Sequence, residues 1–295
     1  MITEHTALSE QQREAVLALA ERVAAADRVS PLNEAAQLAL ADQGSGDVIH
    51  WLVEADDALI GYAQLDRRDG SVQLFITPKR RRKGFGQQLA QQVMKSGLAR
   101  TWWAFGDRPP ARAFANSLGL EVVRGLLVMT LDPTDRDEDE PAEPPPGVSI
   151  DHFRDADLER LVEVNAAAFA NHPEQGALTV DDFRARMASD WFRPDDLLVA
   201  RDVTGELVGY HWTKLTTVDG KTRGEVYVLG VDPSQARRGT GRALLDAGII
   251  HMRSRGASLI DLYVEASSER VVAMYRTAGF EVTNIDVAYG PVEEL

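Results

Sequence analysis

The sequence predicts an α+β protein of two tandem domains, each a mixed, mostly antiparallel sheet flanked by helices. Three observations carry that reading. First, the order helix, helix, three strands, Gly-rich loop, helix, strand, helix, strand occurs twice within 295 residues. Second, an acidic, Pro-rich stretch at 132–147, DPTDRDEDEPAEPPPG, separates the two runs. Third, matching positions keep a steady offset: Pro233 follows Pro78 by 155 positions, and AGF (278–280) follows LGL (118–120) by 160.

In the first half, apolar spacing around Ala15–Ala25 predicts a helix, and a second is expected over Asn33–Asp42. Strands are expected at 49–54 (IHWLVE), 59–65 (LIGYAQL) and 71–77 (SVQLFIT). Their separators, ADD and DRRDG, are turn material, so the three form an antiparallel meander. Pro78 and the loop KRRRKGFG follow, then a helix from about 86 to 97, a strand near 101–105, a helix near 110–118 and a strand at 121–131. In the second half, helices at 155–169 and near 179–188 precede strands at 197–202, 206–215 and 223–231. Pro233 and the loop ARRGTG lead into a helix at 239–255, a strand at 258–264, a helix at 268–278 and a last strand at 281–289. Between the halves, acidic self-repulsion and three consecutive prolines cannot build a core. The domains are therefore expected at 1–131 and 148–295, with 132–147 as linker.

Composition narrows the function classes. The chain contains no cysteine, which excludes a disulfide framework, a zinc–thiolate site and a thiol nucleophile. The N-terminal stretch lacks a basic region followed by an apolar run, and no later segment approaches membrane-spanning length, so a soluble cytoplasmic protein is expected; a monomer is expected as well. A net charge of -14 argues against a nucleic-acid binder. Yet Lys79 to Lys83 (KRRRK) is densely cationic and sits beside a Gly-rich turn, which suits capture of a small anion.

A strand that feeds a Gly-rich turn into a helix N-terminus aims several backbone N–H groups at one spot. The helix dipole adds positive charge there, and a phosphate or pyrophosphate is the natural ligand. A Walker loop would need Lys then Ser or Thr after the second glycine, where the sequence has Gly241-Arg242-Ala243. A dinucleotide fingerprint would need a third glycine at Leu89 or Leu244. What remains is R/Q-x-x-G-x-G/A behind an antiparallel meander, with a later helix ending in GF. In this the chain resembles the GNAT acetyltransferases, whose loop binds the pyrophosphate of acetyl-CoA. Arg81 fills the first motif position in the first copy, and Ala236 departs from it in the second.

Acetyl transfer from a thioester to an amine needs a proton acceptor for the amine, a donor for the thiolate and stabilisation of the oxyanion. The two halves differ here. Glu225 lies eight residues before Pro233, where the first half has Gly70; Tyr275 lies four before Gly279, where the first half has Ala115. The second half is thus the expected catalytic one, with Glu225 as general base, the Val231 N–H polarising the thioester carbonyl and Tyr275 protonating the thiolate. The first half keeps the cradle and lacks those groups.

More narrowly, AFANHPEQG (168–176), GYHWTK (209–214), GEVYVLGVDP (224–233), LYVEASSERVVAMYRTAGF (262–280) and DRVSPLNE (27–34) resemble the mycothiol synthases of actinobacteria over nearly the whole chain. The resemblance implies acetyl transfer from acetyl-CoA to the cysteinyl amine of a cysteinyl-glucosamine-inositol. It implies substrate contacts at Glu34, Glu174, Lys214, Glu225 and Tyr263. For acetyl-CoA it implies Leu229, Gly230 and Val231, then Ala236, Arg237, Arg238, Gly239, Thr240, Gly241 and Arg242. Near the thiol end it implies Ser268, Glu269, Arg270, Val271, Val272 and Ala273, with Ser268 standing where the family has Asn. In the first half the corresponding cofactor positions are Leu74, Phe75, Ile76, Arg82, Lys83, Gly84, Phe85, Gly86 and Gln87. No metal is expected, and His172 and His211 read as positioning or structural residues. Two alternatives stay open: a GNAT enzyme for another amine, such as a protein N-terminus or an aminoglycoside, and a non-catalytic acyl-CoA sensor.

Overall fold

The computed structural model describes residues 1–40, 46–134, 143–170, 172, 175–218, 220–234 and 239–291. The first half forms β1 (Ile2–His5), α1 (Glu10–Asp27), α2 (Glu34–Leu40), β2 (Val48–Ala55), β3 (Ala58–Asp66), β4 (Ser71–Ile76), α3 (Phe85–Lys95), β5 (Thr101–Ala104), α4 (Pro109–Ser117) and β6 (Leu120–Leu131). The second half forms β7 (Ser149–His152), α5 (Leu158–Ala168), α6 (Val180–Met187), β8 (Leu197–Arg201), β9 (Leu207–Val218), β10 (Lys221–Val231), α7 (Thr240–Ser254), β11 (Ala257–Glu265), α8 (Glu269–Thr277) and β12 (Glu281–Pro291).

Every helix and strand expected from the sequence is present, and the α+β class holds. The structure adds β1 and β7, edge strands paired antiparallel with β2 and β8 through contacts such as Ile2↔Val53 and Ile150↔Ala200. Four residues with so few apolar positions show no readable alternation; the neighbouring ladder stabilises them. Local chemistry fixes the helix starts. Ser9 Oγ accepts from the Gln12 N–H at 3.2 Å while Gln12 Oε1 accepts from the Ser9 N–H at 2.9 Å. Such a box contributes about 1 kcal/mol, and Thr179 with Asp182 repeats it before α6.

The chain divides into two compact units, Met1–Leu126 with Asn284–Leu295, and Leu127–Thr283. Strand order is β1-β2-β3-β4-β5-β12 in the first and β6-β11-β10-β9-β8-β7 in the second. The units group residues 127–131 with the second half and 284–295 with the first. β12 pairs antiparallel with β5 (Val287↔Ala104, Tyr289↔Trp102). The end of β6 joins the second unit, with Met129 and Leu131 in the cluster around Ile260 and Leu262, and Thr130 Oγ1 donating to Asp261 Oδ1 at 2.7 Å. In a tandem repeat the two terminal strands carry equivalent patterns, so hydrophobicity alone does not choose between the sheets.

Each sheet is covered on both faces. In the first unit, Leu52, Tyr62 and Phe75 pack against Val16, Leu19 and Val23 of α1 and Leu40 of α2, while Trp51, Ala63 and Leu65 pack with Leu89 and Val93 of α3. In the second unit, Tyr210, Trp212 and Val228 face α5 and α6. Val226, Ile260 and Leu262 pack with Leu245, Ile249 and Met252 of α7. Among the described residues no helix is long and apolar enough to cross a membrane.

β9 and α7 meet at one very close approach. His211 is fully buried, and its Nδ1–H donates to Leu244 O at 2.8 Å. A Cβ on Gly248 would overlap the imidazole ring. Gly248→Ala gains helix propensity of about 1 kcal/mol, but overpacking costs about 1–3 kcal/mol or more when the neighbour is hydrogen-bonded in place. A lower midpoint in thermal unfolding is the expected result. Burial also lowers the His211 pKa from 6.5 to about 4. Between those values the unfolded chain binds a proton that the folded chain does not, so this residue's contribution to stability is present above 6.5 and lost as pH falls towards 4. Unfolding measured across that window should show a shallower acid-side loss for a His211→Gln chain than for the parent.

Candidate active site

The two Gly-rich loops end alike. Gly84 (φ 85°) caps α3 and Gly239 (φ 88°) caps α7, both in the left-handed conformation that favours glycine. In the first unit Arg81 is committed to the frame: its guanidinium meets Asp27 at 2.7 and 2.8 Å and donates to Ile76 O at 3.0 Å. A cavity of about 540 Å³ in that unit is lined by Leu74, Phe75, Ile76, Arg82, Gly84, Gly86 and Gln87 together with Trp102, Trp103 and Phe114. Lys83 is exposed outside this wall and Phe85 packs against the core.

Strand splaying explains where ligand atoms can reach the backbone. β10 pairs with β11 in parallel from Thr222↔Ala257 to Val226↔Leu262, then continues to Val231 paired with β9. The Asp232 N–H donates to Val208 O at 2.8 Å, which makes Val231↔Gly209 a non-hydrogen-bonded pair. The Val231 N–H therefore points away from β9, towards the edge that β11 has left. Leu229, two residues earlier, has the same orientation, while Gly230 pairs with Tyr210. The first unit repeats this: Thr77 N–H donates to Ile60 O at 2.8 Å, so the Ile76 N–H points away from β3.

Among the described residues, three of the expected substrate residues share the second unit. Glu225 on β10 is half-buried and stands opposite Lys214 of β9 and Asp261 of β11. Residues directly opposed in a sheet share a face. Tyr263, two residues beyond Asp261, is 54% exposed. Glu34 opens α2 in the first unit, where the Asn33 side chain caps the helix and pairs with Gln73. Glu174, Ala236, Arg237 and Arg238 lie outside the described residues.

The α8 end is more divided. Ser268 caps α8, Glu269, Arg270, Val271 and Ala273 are exposed, but Val272 points into the core. Tyr275 is also buried, its ring against Phe280 at 5.8 Å, and burial pushes its phenol well above the ordinary range.

The model of the Acetyltransferase (GNAT) family matches residues 17–120 and 158–280. A curated mycothiol acetyltransferase from Propionibacterium freudenreichii subsp. shermanii is 51% identical over 287 residues, covering 97% of this chain and 91% of that protein. The chain belongs to the mycothiol acetyltransferase family. Two solved structures share its fold along the full length. A GCN5-related N-acetyltransferase from Sphaerobacter thermophilus has a TM-score of 0.69 at 23% identity, covering 100% of this chain and 98% of that one. A tandem GNAT protein from the clavulanic acid biosynthesis pathway has a TM-score of 0.71 at 17% identity, covering 99% and 100%.

As a member of that family the chain is an N-acetyltransferase of the GNAT type, a family that uses acetyl-CoA, and its residues fit that group. Thr240 Oγ1 is buried at the start of α7 with no hydrogen-bond partner among the described residues. Gly241 follows it, and a Cβ there would lie 3.6 Å from Val231 Cγ2, which sets the first turn of α7 against the splayed strand end. Arg242, at the third helical position, ion-pairs with Asp246 at 2.8 Å.

Several groups at the candidate site are ones that the sequence alone does not single out. Asp261 accepts from Thr130, is held by Arg223 through two hydrogen bonds, and faces Glu225. In the sequence it is one acidic residue two positions before Tyr263, on a strand whose alternate positions are apolar, and only the register sets it opposite Glu225. Glu265 extends the same face, 3.7 Å from His172 Nε2. Gln175 N–H donates to His172 Nδ1 at 3.1 Å, which leaves the other ring nitrogen to carry the proton towards Glu265.

Proposed function

We propose that the second unit transfers acetyl from acetyl-CoA to the cysteinyl amine of 1D-myo-inositol 2-(L-cysteinylamino)-2-deoxy-α-D-glucopyranoside, the last step in making mycothiol. The observation that carries this is the row Lys214–Glu225–Asp261 beside the splayed edge of Val231, in a chain 51% identical to a mycothiol acetyltransferase. Acetyl-CoA supplies the acetyl thioester.

Glu225 accepts a proton from the cysteinyl ammonium through water, leaving the nitrogen lone pair for attack. The Val231 N–H donates to the carbonyl oxygen as negative charge grows there. Tyr275 gives its proton to the departing thiolate, and the second proton lost by the attacking nitrogen restores it. Lys214 donates to oxygens of the pseudodisaccharide, and Tyr263 is a further substrate contact. In each unit the helix N-terminus behind Gly84 or Gly239 cradles pyrophosphate. The first unit holds the cofactor without catalysing transfer, because Gly70 and Ala115 stand where Glu225 and Tyr275 do. In this reading the enzyme works in the cytoplasm on a small-molecule partner.

Mass spectrometry with isotope-labelled acetyl-CoA tests this. The product should gain one labelled acetyl group that resists neutral hydroxylamine, as an amide does. Label released by hydroxylamine would mean a thioester and contradict the reading.

A further inference from the structure

Lys214 sits over two aromatic faces, its Nζ 4.7 Å from the centroid of Trp191 and 5.1 Å from that of Tyr227. The two rings meet edge to face with centroids 5.1 Å apart. Both are held from behind: Trp191 contacts Phe192 and Trp212, Tyr227 contacts Trp212, and Trp212 is fully buried. The β9–β10 register shifts between Val226 and Val228, which makes Tyr227 the extra residue of a bulge. Bulges re-aim side chains beside functional sites. This one sets Tyr227 against the Trp212 side of the sheet, next to the residue that stands opposite Glu225. Arg186 adds a second cation 6.0 Å from the Tyr227 ring centroid.

A lysine stem has several rotatable bonds, and fixing its ammonium costs conformational entropy. A ring face attracts the cation through its quadrupole, and two faces set edge to face together restrict where the ammonium sits.

We propose that Trp191 and Tyr227 are positioning residues of the transfer reaction, seating the Lys214 ammonium where it meets oxygens of the sugar portion of the amine substrate. The inference rests on the reading of Lys214 as a substrate contact and extends it to the residues that aim it. Trp191 and Tyr227 act through Lys214.

Site-specific replacement of Trp191 by mono-, di- and trifluorotryptophan weakens the ring quadrupole with little change of shape. The KM for the pseudodisaccharide should rise stepwise across the series, by roughly three- to thirty-fold in total. The KM for acetyl-CoA should stay constant and kcat should change less than the amine KM. In a Lys214→Met chain, whose amine KM is already raised, the same series should be flat. A flat series with Lys214 present, or an equal slope in Lys214→Met, overturns the proposal while leaving Lys214 as a contact. An unchanged amine KM in Lys214→Met alone removes Lys214 from the substrate contacts and the proposal with it.

Discussion

Glu225→Gln is expected to lower kcat with the cysteinyl pseudodisaccharide about 10²–10⁴-fold, the range general base catalysis contributes. The amide has the shape of the carboxylate and leaves the β9–β10–β11 register intact, so the KM for acetyl-CoA should hold. Only proton acceptance is lost. The residual rate should climb with pH as the free amine becomes available without the base. Steady-state kinetics across pH reads both effects, and full activity in Glu225→Gln would remove Glu225 from the chemistry.

Tyr275→Phe is expected to cost about a hundred-fold or more in kcat, with little loss of stability. The ring lies in an apolar cluster with Val264, Val272 and Phe280, and phenylalanine preserves that packing. Removing the hydroxyl from such a site changes stability by about 1 kcal/mol. Thermal unfolding of the same preparation separates the two explanations. An unaltered midpoint with lost turnover supports the donor role, and unaltered turnover makes Tyr275 a core residue alone.

The repeat made most of the fold legible. Pro78 and Pro233, each six residues before a glycine that proves left-handed, fixed two strand–loop–helix units and with them both cradles. The difference between the halves, Glu225 against Gly70, was also readable, because a carboxylate on a strand entering such a loop stands out from its apolar neighbours. Strand partnership was not legible. β12 and β6 carry equivalent patterns, and the choice between two similar sheets is made by tertiary contacts such as Tyr289 with Asp107 and Thr130 with Asp261.

The aromatic seat of Lys214 was hidden for a related reason. Trp191 lies 23 positions before Lys214 and joins it only through the fold, and Tyr227 needs the bulge to take its place. Asp261 needed the register: an isolated acidic residue on a strand reads as a solvated carboxylate until Glu225 is found opposite it.

The substrate claim is tested most directly by kcat/KM for a panel of amines, with CoA formation quantified by chromatography. The panel pairs the cysteinyl-glucosaminyl-inositol with a peptide N-terminus and an aminoglycoside. The pseudodisaccharide should exceed both by at least about a hundred-fold, as a site built from specific polar contacts discriminates. Turnover confined to the peptide or the aminoglycoside, or no turnover with any amine, would contradict it.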